Sequence, residues 1–183
     1  MHSINQRRLD IVAAIGLGIG AVFGLAGTFV SQAPLRQAFW AIDGVGLIVA
    51  TSLLTLKFLK KGNECVAAGF LVFAIGESHL LAGTAAGLAA SVPSFGGGVA
   101  LWAAALLLTS IPKEFATWVR LVGTFASLLF VVTAARIFWG EQLLPTSSPL
   151  PFFAYPFLVT TFVGWILALL GREGTATAST RAV

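Results

Sequence analysis

Six long apolar runs, separated by short polar stretches, dominate the pattern of this 183-residue chain. A run of about twenty apolar residues forms a helix long enough to cross ~30 Å of hydrocarbon. The separators, such as SQAPLRQ at 31–37 and SVPSFGGG at 91–98, carry Pro, Gly and polar residues that favour turns and loops. We therefore predict an all-α integral membrane protein, a bundle of about six transmembrane helices arranged as three hairpins. The predicted spans are about 10–30, 38–59, 64–90, 96–111, 115–139 and 152–170.

Lysine and arginine residues lie mostly on one side of the six predicted spans. Because loops rich in positive charge stay in the cytoplasm, this bias predicts an N-in/C-in orientation. Residues 1–9 then form a cytoplasmic arm, and the polar residues 172–183 form a cytoplasmic tail with a composition typical of disorder. Tryptophans near predicted helix ends suit the membrane interfaces, and these are Trp40, Trp102, Trp118 and Trp139. The predicted inner side carries Arg7, Arg8, Lys57, Lys60, Lys61, Lys113, Arg120, Arg172 and Arg181, and the outer side carries Arg36 and Arg136.

The composition agrees with lipid as the main partner. Hydrophobic residues make up 57% of the chain and charged residues 10%, with a mean hydropathy of +0.93, whereas a soluble domain is about a quarter charged. The net charge of +4 comes from residues at helix ends and not from a basic patch on a polar surface, so nucleic-acid binding is not expected. We expect a multi-pass protein of the cell membrane. Its small size and Ala/Gly/Leu-rich composition favour a bacterial inner membrane and a homo-oligomer or larger membrane complex.

Glycines recur at four-residue spacing in the first span, at Gly16, Gly20 and Gly24, with Gly27 close to the same line. Small residues at this spacing let two helix backbones approach and pack closely within a membrane. A nucleotide-binding glycine motif would need a preceding strand, and none is indicated. The pattern predicts a helix-packing face on the first span.

The third span divides into a small face and a bulky face when it is projected at about 100° per residue. We expect the small face to pack on neighbouring helices and the bulky face to meet lipid or another subunit. The small face carries Ala68, Gly69, Gly76, Ala82, Gly83, Ala86 and Gly87, and the bulky face carries Val66, Phe70, Phe73, Leu80, Leu81 and Leu88.

Glu77 lies on the bulky face, near the predicted middle of the bilayer. A carboxylate there costs several kcal/mol unless it is paired, so an ionisable residue at this depth is a candidate functional group. Two states satisfy it: a neutral acid hydrogen-bonded to a group such as Thr84 on the same face, or an ionised acid beside another helix, another copy or a bound cation.

Three further polar residues accompany Glu77 in the predicted outer half. His79 falls on the small face, where a structural hydrogen bond across a helix contact is favoured over proton handling. Asp43 lies about five residues from the outer end of the second span, and Arg136 lies near the outer end of the fifth, where snorkelling to the interface is the simpler interpretation. If the bundle brings Asp43 and Arg136 together with Glu77 and His79, a polar site for a substrate or ion results.

The residue types present favour transport or binding over catalysis. No nucleophile elbow, phosphate-binding loop or cluster of metal ligands occurs, so we expect no enzyme and no metal site, and the sequence indicates no particular cofactor. The favoured hypothesis is a transporter or channel for a proton, cation or small polar solute that uses Glu77 with His79 or Asp43. The alternative is a non-catalytic membrane subunit that binds a partner helix, quinone, pigment or lipid on the face formed by Phe70, Phe73 and Glu77. A water-accessible cavity that contains Glu77 and Asp43 would favour the first hypothesis. A dry groove beside Phe70, Phe73 and Glu77, filled by an amphiphile or a second chain, would favour the second.

Overall fold

A computed structural model describes residues 2–171 of the chain, with side chains from residue 6 onward. All regular elements among these residues are helical, and six long helices match the predicted six. The predicted tail at 172–183 and the side chains of residues 1–5 lie outside the described residues. The helices are α1 (His2–Phe29), α2 (Ala33–Lys60), α3 (Glu64–Thr84), α4 (Val92–Ser110), α5 (Thr117–Phe138) and α6 (Tyr155–Leu170), and a short 3₁₀ turn (Phe152–Ala154) precedes α6.

Helices α2 and α4 begin earlier than predicted because a proline lies in the first turn of each. Proline suits the first helical turn, where no backbone N–H is needed. Pro34 lies in the first turn of α2 and Pro93 in the first turn of α4, so most of SVPSFGGG, predicted as a loop, is the start of α4. Helix α3 ends at Thr84, six residues before the predicted 90, and Gly87 in the following turn has a φ of +86°.

The six helices form a closed ring in which the backbone of each helix packs only against those of its two neighbours. Consecutive helices pack against each other, and α6 returns to contact α1. Helices α1 and α2 are antiparallel, because Gly16 meets Gly46 while Gly24, later in α1, meets Asp43, earlier in α2. The other neighbouring helices around the ring are antiparallel as well. We call the end that carries the start of α1 and the end of α6 the termini end, and the opposite end the far end.

The glycine line of α1 forms the contact with α2, which confirms the predicted packing face. A Cβ atom at Gly16 would lie 2.5 Å from the Gly46 carbonyl oxygen. Gly20, Gly24 and Gly27 meet side chains of α2 in the same way. Close approach of this kind gives van der Waals contact, which drives helix association where lipid removes the hydrophobic term.

The predicted environment of the bulky face of α3 is wrong, since Phe70 and Phe73 are 0% exposed and point into the ring. Six helices whose backbones pack only against their neighbours leave a central space. Small side chains cannot fill this space, whereas aromatic rings can. The glycines of the small face lie instead at the seam, where Gly69, Gly76 and Gly83 pack against α4. The alanines of that face, Ala68, Ala82 and Ala86, are exposed. The central rings form one contiguous set, which we call the aromatic plug: Phe58, Phe70, Phe73, Phe115, Phe162 and Trp165.

The aromatic plug occupies the termini end and the middle of the ring. Phe58 lies two residues from the end of α2, and Phe115 lies in the connection between α4 and α5. Phe70 stacks on Phe58 with ring centroids 5.6 Å apart and meets Trp165 at 4.8 Å. Since Phe73 and Phe162 continue this contact toward the centre, the ring is filled from the termini end to about its middle.

The outside of the ring is apolar. Each of the six helical segments is long and hydrophobic enough to cross a bilayer. Large aliphatic side chains stand exposed around the bundle, among them Ile15, Val22, Val45, Leu56, Leu71, Ile75, Leu121, Leu128 and Leu167. Apolar surface of this extent is far larger than soluble monomers expose.

Candidate functional site

A cavity of about 80 Å³ lies inside the ring, beyond the aromatic plug and toward the far end. Helices α1, α2, α3, α4 and α6 line it, together with the connection between α5 and α6. Most of its wall is aliphatic or aromatic, and two carboxyl groups, Asp43 and Glu77, lie within it. The aromatic side chains of the wall are Trp40, Phe95, Trp102, Tyr155 and Phe162.

Glu77 enters the cavity from α3, seven residues before the helix ends and therefore about 10 Å from its far end. The side chain is 4% exposed, and its Oε2 atom has no hydrogen-bond partner. Its Oε1 atom lies 3.3 Å from the position that a Cβ atom of Gly44 would take. Gly44 thus leaves the space on α2 that the carboxyl group of Glu77 occupies.

Asp43 enters the cavity from α2, ten residues after the helix begins and therefore about 15 Å from its far end. The residue is 7% exposed, and its Oδ1 atom has no hydrogen-bond partner. A Cβ atom at Gly24 would lie 2.7 Å from Oδ2, so the glycine line of α1 makes room for this carboxyl group as well as for helix contact. Asp43 and Glu77 therefore share one cavity.

The hydroxyl groups of the cavity wall do not donate hydrogen bonds to the two acids. Thr84 lines the cavity but donates to the Leu81 carbonyl oxygen at 2.8 Å, so the predicted bond with Glu77 is not formed. Thr28 and Ser91 likewise donate to carbonyl oxygens of nearby residues. The Tyr155 hydroxyl donates at 2.9 Å to the Pro145 carbonyl oxygen in the α5–α6 connection. Among the described residues, no donor satisfies the free oxygen atoms of the two carboxyl groups.

His79 does not join the cavity, and its predicted burial on a packed face is wrong. The side chain is exposed and lines a shallow groove on the outside of α3 and α4 with Ser78 and Gly97. Helix α3 contacts α4 through three glycines spaced seven residues apart, Gly69, Gly76 and Gly83. Because His79 is three residues from the middle of this line, it is turned about 60° away from the seam.

Arg136 also lies outside the cavity, at the far end of α5. Its Nε atom donates to Glu141 at 2.9 Å, and its Nη2 atom donates at 2.6 Å. The hydrogen bond from Arg136, and then its positive charge, lower the pKa of Glu141 below its ordinary value of 4.5. Both side chains are exposed, so this pair anchors the start of the α5–α6 connection at the surface.

Phe70 and Phe73, the other two predicted site residues, belong to the aromatic plug and are closed to any external partner. Phe70 and Phe73 therefore do not line a groove on the outside of the ring. Phe73 nevertheless stacks on Trp102, with ring centroids 5.4 Å apart, and Trp102 lines the cavity. The plug and the cavity thus share a wall.

Sequence analysis did not identify Trp40, Trp102 or Tyr155 as site residues. Trp102 was predicted at an interface, but it is 7% exposed in the middle of α4. Its indole lies beside the Glu77 carboxyl group, outside hydrogen-bonding geometry, and its Nε1 atom has no partner. Trp40 lies on the same side of α2 as Asp43, three residues apart, which is the one signal in the sequence that could have placed it near an acid.

The cavity is an apolar and aromatic space that holds two acids. Two carboxyl groups with free oxygen atoms face an apolar, aromatic space, where an ionised carboxylate is stable only beside a cation. Within residues 2–171, no group of three or more His, Cys, Asp or Glu side chains gathers in the manner of a metal site. No known protein family, curated protein or solved structure matches this chain.

Proposed function

We propose that the chain is a multi-pass membrane protein with its termini end in the cytoplasm. Six helices of spanning length and an apolar outer surface support the membrane location. The concentration of lysine and arginine at the termini end supports the orientation, since such loops are retained in the cytoplasm.

The single cysteine tests this orientation directly. Cys65 is exposed at the termini end, in the first turn of α3. A thiol reagent that cannot cross membranes should leave Cys65 unlabelled in intact cells and label it after permeabilisation. The matched control carries Cys65→Ala with Gln142→Cys, which moves the thiol to an exposed position at the far end. Labelling of Cys65, but not of the control, in intact cells would reverse the orientation.

We further propose that the protein transports a cation, with Asp43 and Glu77 as the binding groups. The observation that carries the proposal is the presence of two buried carboxyl groups with unpartnered oxygen atoms in one cavity. Burying such groups is costly, and a membrane protein retains them where a charged ligand compensates. The cation enters from the far end, since the aromatic plug fills the ring on the other side.

Passage across the membrane then requires the plug to open. The rings of Phe70 and Phe115 would have to separate from Trp165 while the cavity closes toward the far end. The Tyr155–Pro145 hydrogen bond links the α5–α6 connection to the cavity wall, so this connection is the element placed to close the cavity. The arrangement suits a carrier that opens to one side at a time better than a continuous channel.

Cation fluxes into liposomes test the proposal. The purified protein, reconstituted into liposomes, is exposed to steps in pH and in the concentration of inorganic and organic cations. Transport of the responding cation should fall at least tenfold in Glu77→Gln and in Asp43→Asn. Glu141→Gln, which removes an exposed carboxylate outside the cavity, should leave it unchanged. Undiminished transport in Glu77→Gln would refute the role of the cavity.

The alternative is a membrane subunit that binds a cationic ligand without moving it. The observation in its favour is the complete packing of the aromatic plug, in which Phe70 and Phe73 are fully buried. Saturable binding that depends on Glu77, together with no flux in the same liposomes, would favour this alternative over transport.

A further inference from the structure

We propose that the cavity binds a small organic ammonium ion of single charge, such as a methylated amine, in preference to a hydrated metal cation. This inference rests on the proposed function, because the same two carboxyl groups, Asp43 and Glu77, hold the charge. It adds the class of the ligand, which follows from the rest of the cavity wall.

Aromatic rings on three helices surround the two acids. Trp40 comes from α2, Trp102 from α4 and Tyr155 from α6, and all three line the cavity. The face of an aromatic ring attracts a cation, most strongly for tryptophan, and cages of such rings select alkylated ammonium groups. Trp102 lies beside Glu77. Trp40, whose ring centroid lies 5.7 Å from the Arg36 guanidinium carbon, is three residues from Asp43 in the sequence.

A hydrated metal cation suits the same space less well. Calcium takes 6–8 oxygen atoms, and magnesium retains several of its waters. Apart from the two carboxyl groups and a few hydroxyl oxygens, such as those of Thr28, Thr84 and Ser91, most of the wall is leucine and aromatic side chains, which offer a cation no oxygen atoms. Methyl groups on an ammonium ion pack against such a wall, whereas the water shell of a metal ion would lose its hydrogen bonds there.

The volume and the charge of the cavity set further limits on the ligand. The cavity volume of about 80 Å³ is several times the ~10–15 Å³ that one bound water needs, so the cavity admits an ion of a few non-hydrogen atoms. An apolar cavity tolerates little net charge. One cation balances one carboxylate, so the other carboxyl group must carry a proton in the occupied site. In the empty site, each of the two carboxyl groups carries a proton.

The exchange that follows is balanced in charge. Arrival of one ammonium ion displaces one proton, either from Asp43 or from Glu77, and departure of the ion allows one proton to return. The expected transport reaction is therefore an electroneutral exchange of one proton for one organic cation. No oxidant, reductant or covalent step is needed.

Calorimetry on the purified, detergent-solubilised protein tests the inference, with trimethylammonium as the probe. Potassium serves as the inorganic comparison, and tert-butanol serves as an uncharged molecule of similar shape. Trimethylammonium should bind at least tenfold more tightly than either, and titrations in two buffers of different ionisation enthalpy should report release of about one proton per bound ion. Tighter binding of potassium, or equal binding of tert-butanol, would overturn the inference.

Variants of the cavity and of the outer surface separate ligand selection from folding. Trp102→Leu should weaken trimethylammonium binding about tenfold, the size of one desolvated cation–π contact, and Trp102→Phe should restore part of it. Trp139→Leu, at an indole that is 86% exposed, is the matched control and should have no effect. Equal affinities in all three variants would refute the aromatic contribution, whatever their thermal stabilities.

The outcome also distinguishes this inference from the proposed function. If potassium or protons are bound or moved in a Glu77-dependent way while trimethylammonium is ignored, the ligand class is wrong and the cation site stands. If no cation binds and Glu77→Gln changes nothing, both are wrong.

Discussion

The aromatic plug offers the sharpest test of how the ring is held together. Phe70 is fully buried and contacts three other rings, those of Phe58, Phe115 and Trp165. In the unfolded state the helices remain in lipid or detergent, which is as apolar as the inside of the ring. Replacing Phe70 with alanine therefore loses no free energy of transfer from water to an apolar environment. What remains is the cost of the empty space and of the lost ring contacts.

The magnitude follows from the volume of the side chain. A void of about 100 Å³ at ~24 cal/mol per Å³ costs about 2.4 kcal/mol, and each lost aromatic pair adds roughly 0.5 kcal/mol. We therefore expect Phe70→Ala to lower the free energy of unfolding by about 4 kcal/mol. Since Leu71 is 49% exposed on the outside of the same helix, Leu71→Ala should cost less than about 1 kcal/mol.

Reversible unfolding in mixed detergent, followed by helical circular dichroism, measures both variants. Equal destabilisation by Phe70→Ala and Leu71→Ala would show that the aromatic rings do not carry the packing of the ring, and the reasoning from central space to bulky side chains would fail.

The remaining predictions concern the cavity wall and the far-end surface. Gly24→Ala should displace the Asp43 carboxyl group, whose Oδ2 atom lies 2.7 Å from the new Cβ, and weaken cation binding severalfold. Gly18→Ala, where nothing lies within 4 Å, should bind normally, and equal affinities by calorimetry would contradict the assigned contact. At the far end, Arg136 lowers the pKa of Glu141 below 4.5. The ion pair therefore stabilises the folded protein above pH 4.5, and this stabilisation is lost as the pH falls through the lowered pKa. A carboxyl NMR titration should place the midpoint of Glu141 below 4.5 and move it upward in Arg136→Gln, and a midpoint at or above 4.5 in the parent protein would exclude the effect.

The number of helices could be predicted because run length and hydropathy are local properties of the sequence. The glycine line of α1 was predictable for the same reason, since four-residue spacing places Gly16, Gly20 and Gly24 on one face whatever lies opposite. Prolines at the starts of α2 and α4 moved the boundaries, because a proline that follows a polar turn can begin a helix as readily as it prevents one.

The inward direction of each helix could not be predicted in the same way. In a soluble protein the polar face identifies the outside, but here Phe70 on the inside and Leu71 on the outside are equally apolar. The expectation that small residues face inward holds at a seam between two helices and fails at the centre of a ring. Glu77 was identified as a candidate because a buried acid is costly wherever it points, whereas Trp102 and Tyr155 became its neighbours only through contacts distant in sequence.

The closed ring also has a consequence for how the chain is assembled. Because the backbone of α6 packs only against those of α5 and α1 among the long helices, a chain synthesised as far as α5 forms an open horseshoe with a slot between its first and last members. Through that slot both acids would face lipid from the side, without the wall that Tyr155, Leu158 and Phe162 later supply. Insertion of the final helix is thus the step that shields the acids, and biogenesis of this protein should stall, or attract proteolysis, when that helix is deleted.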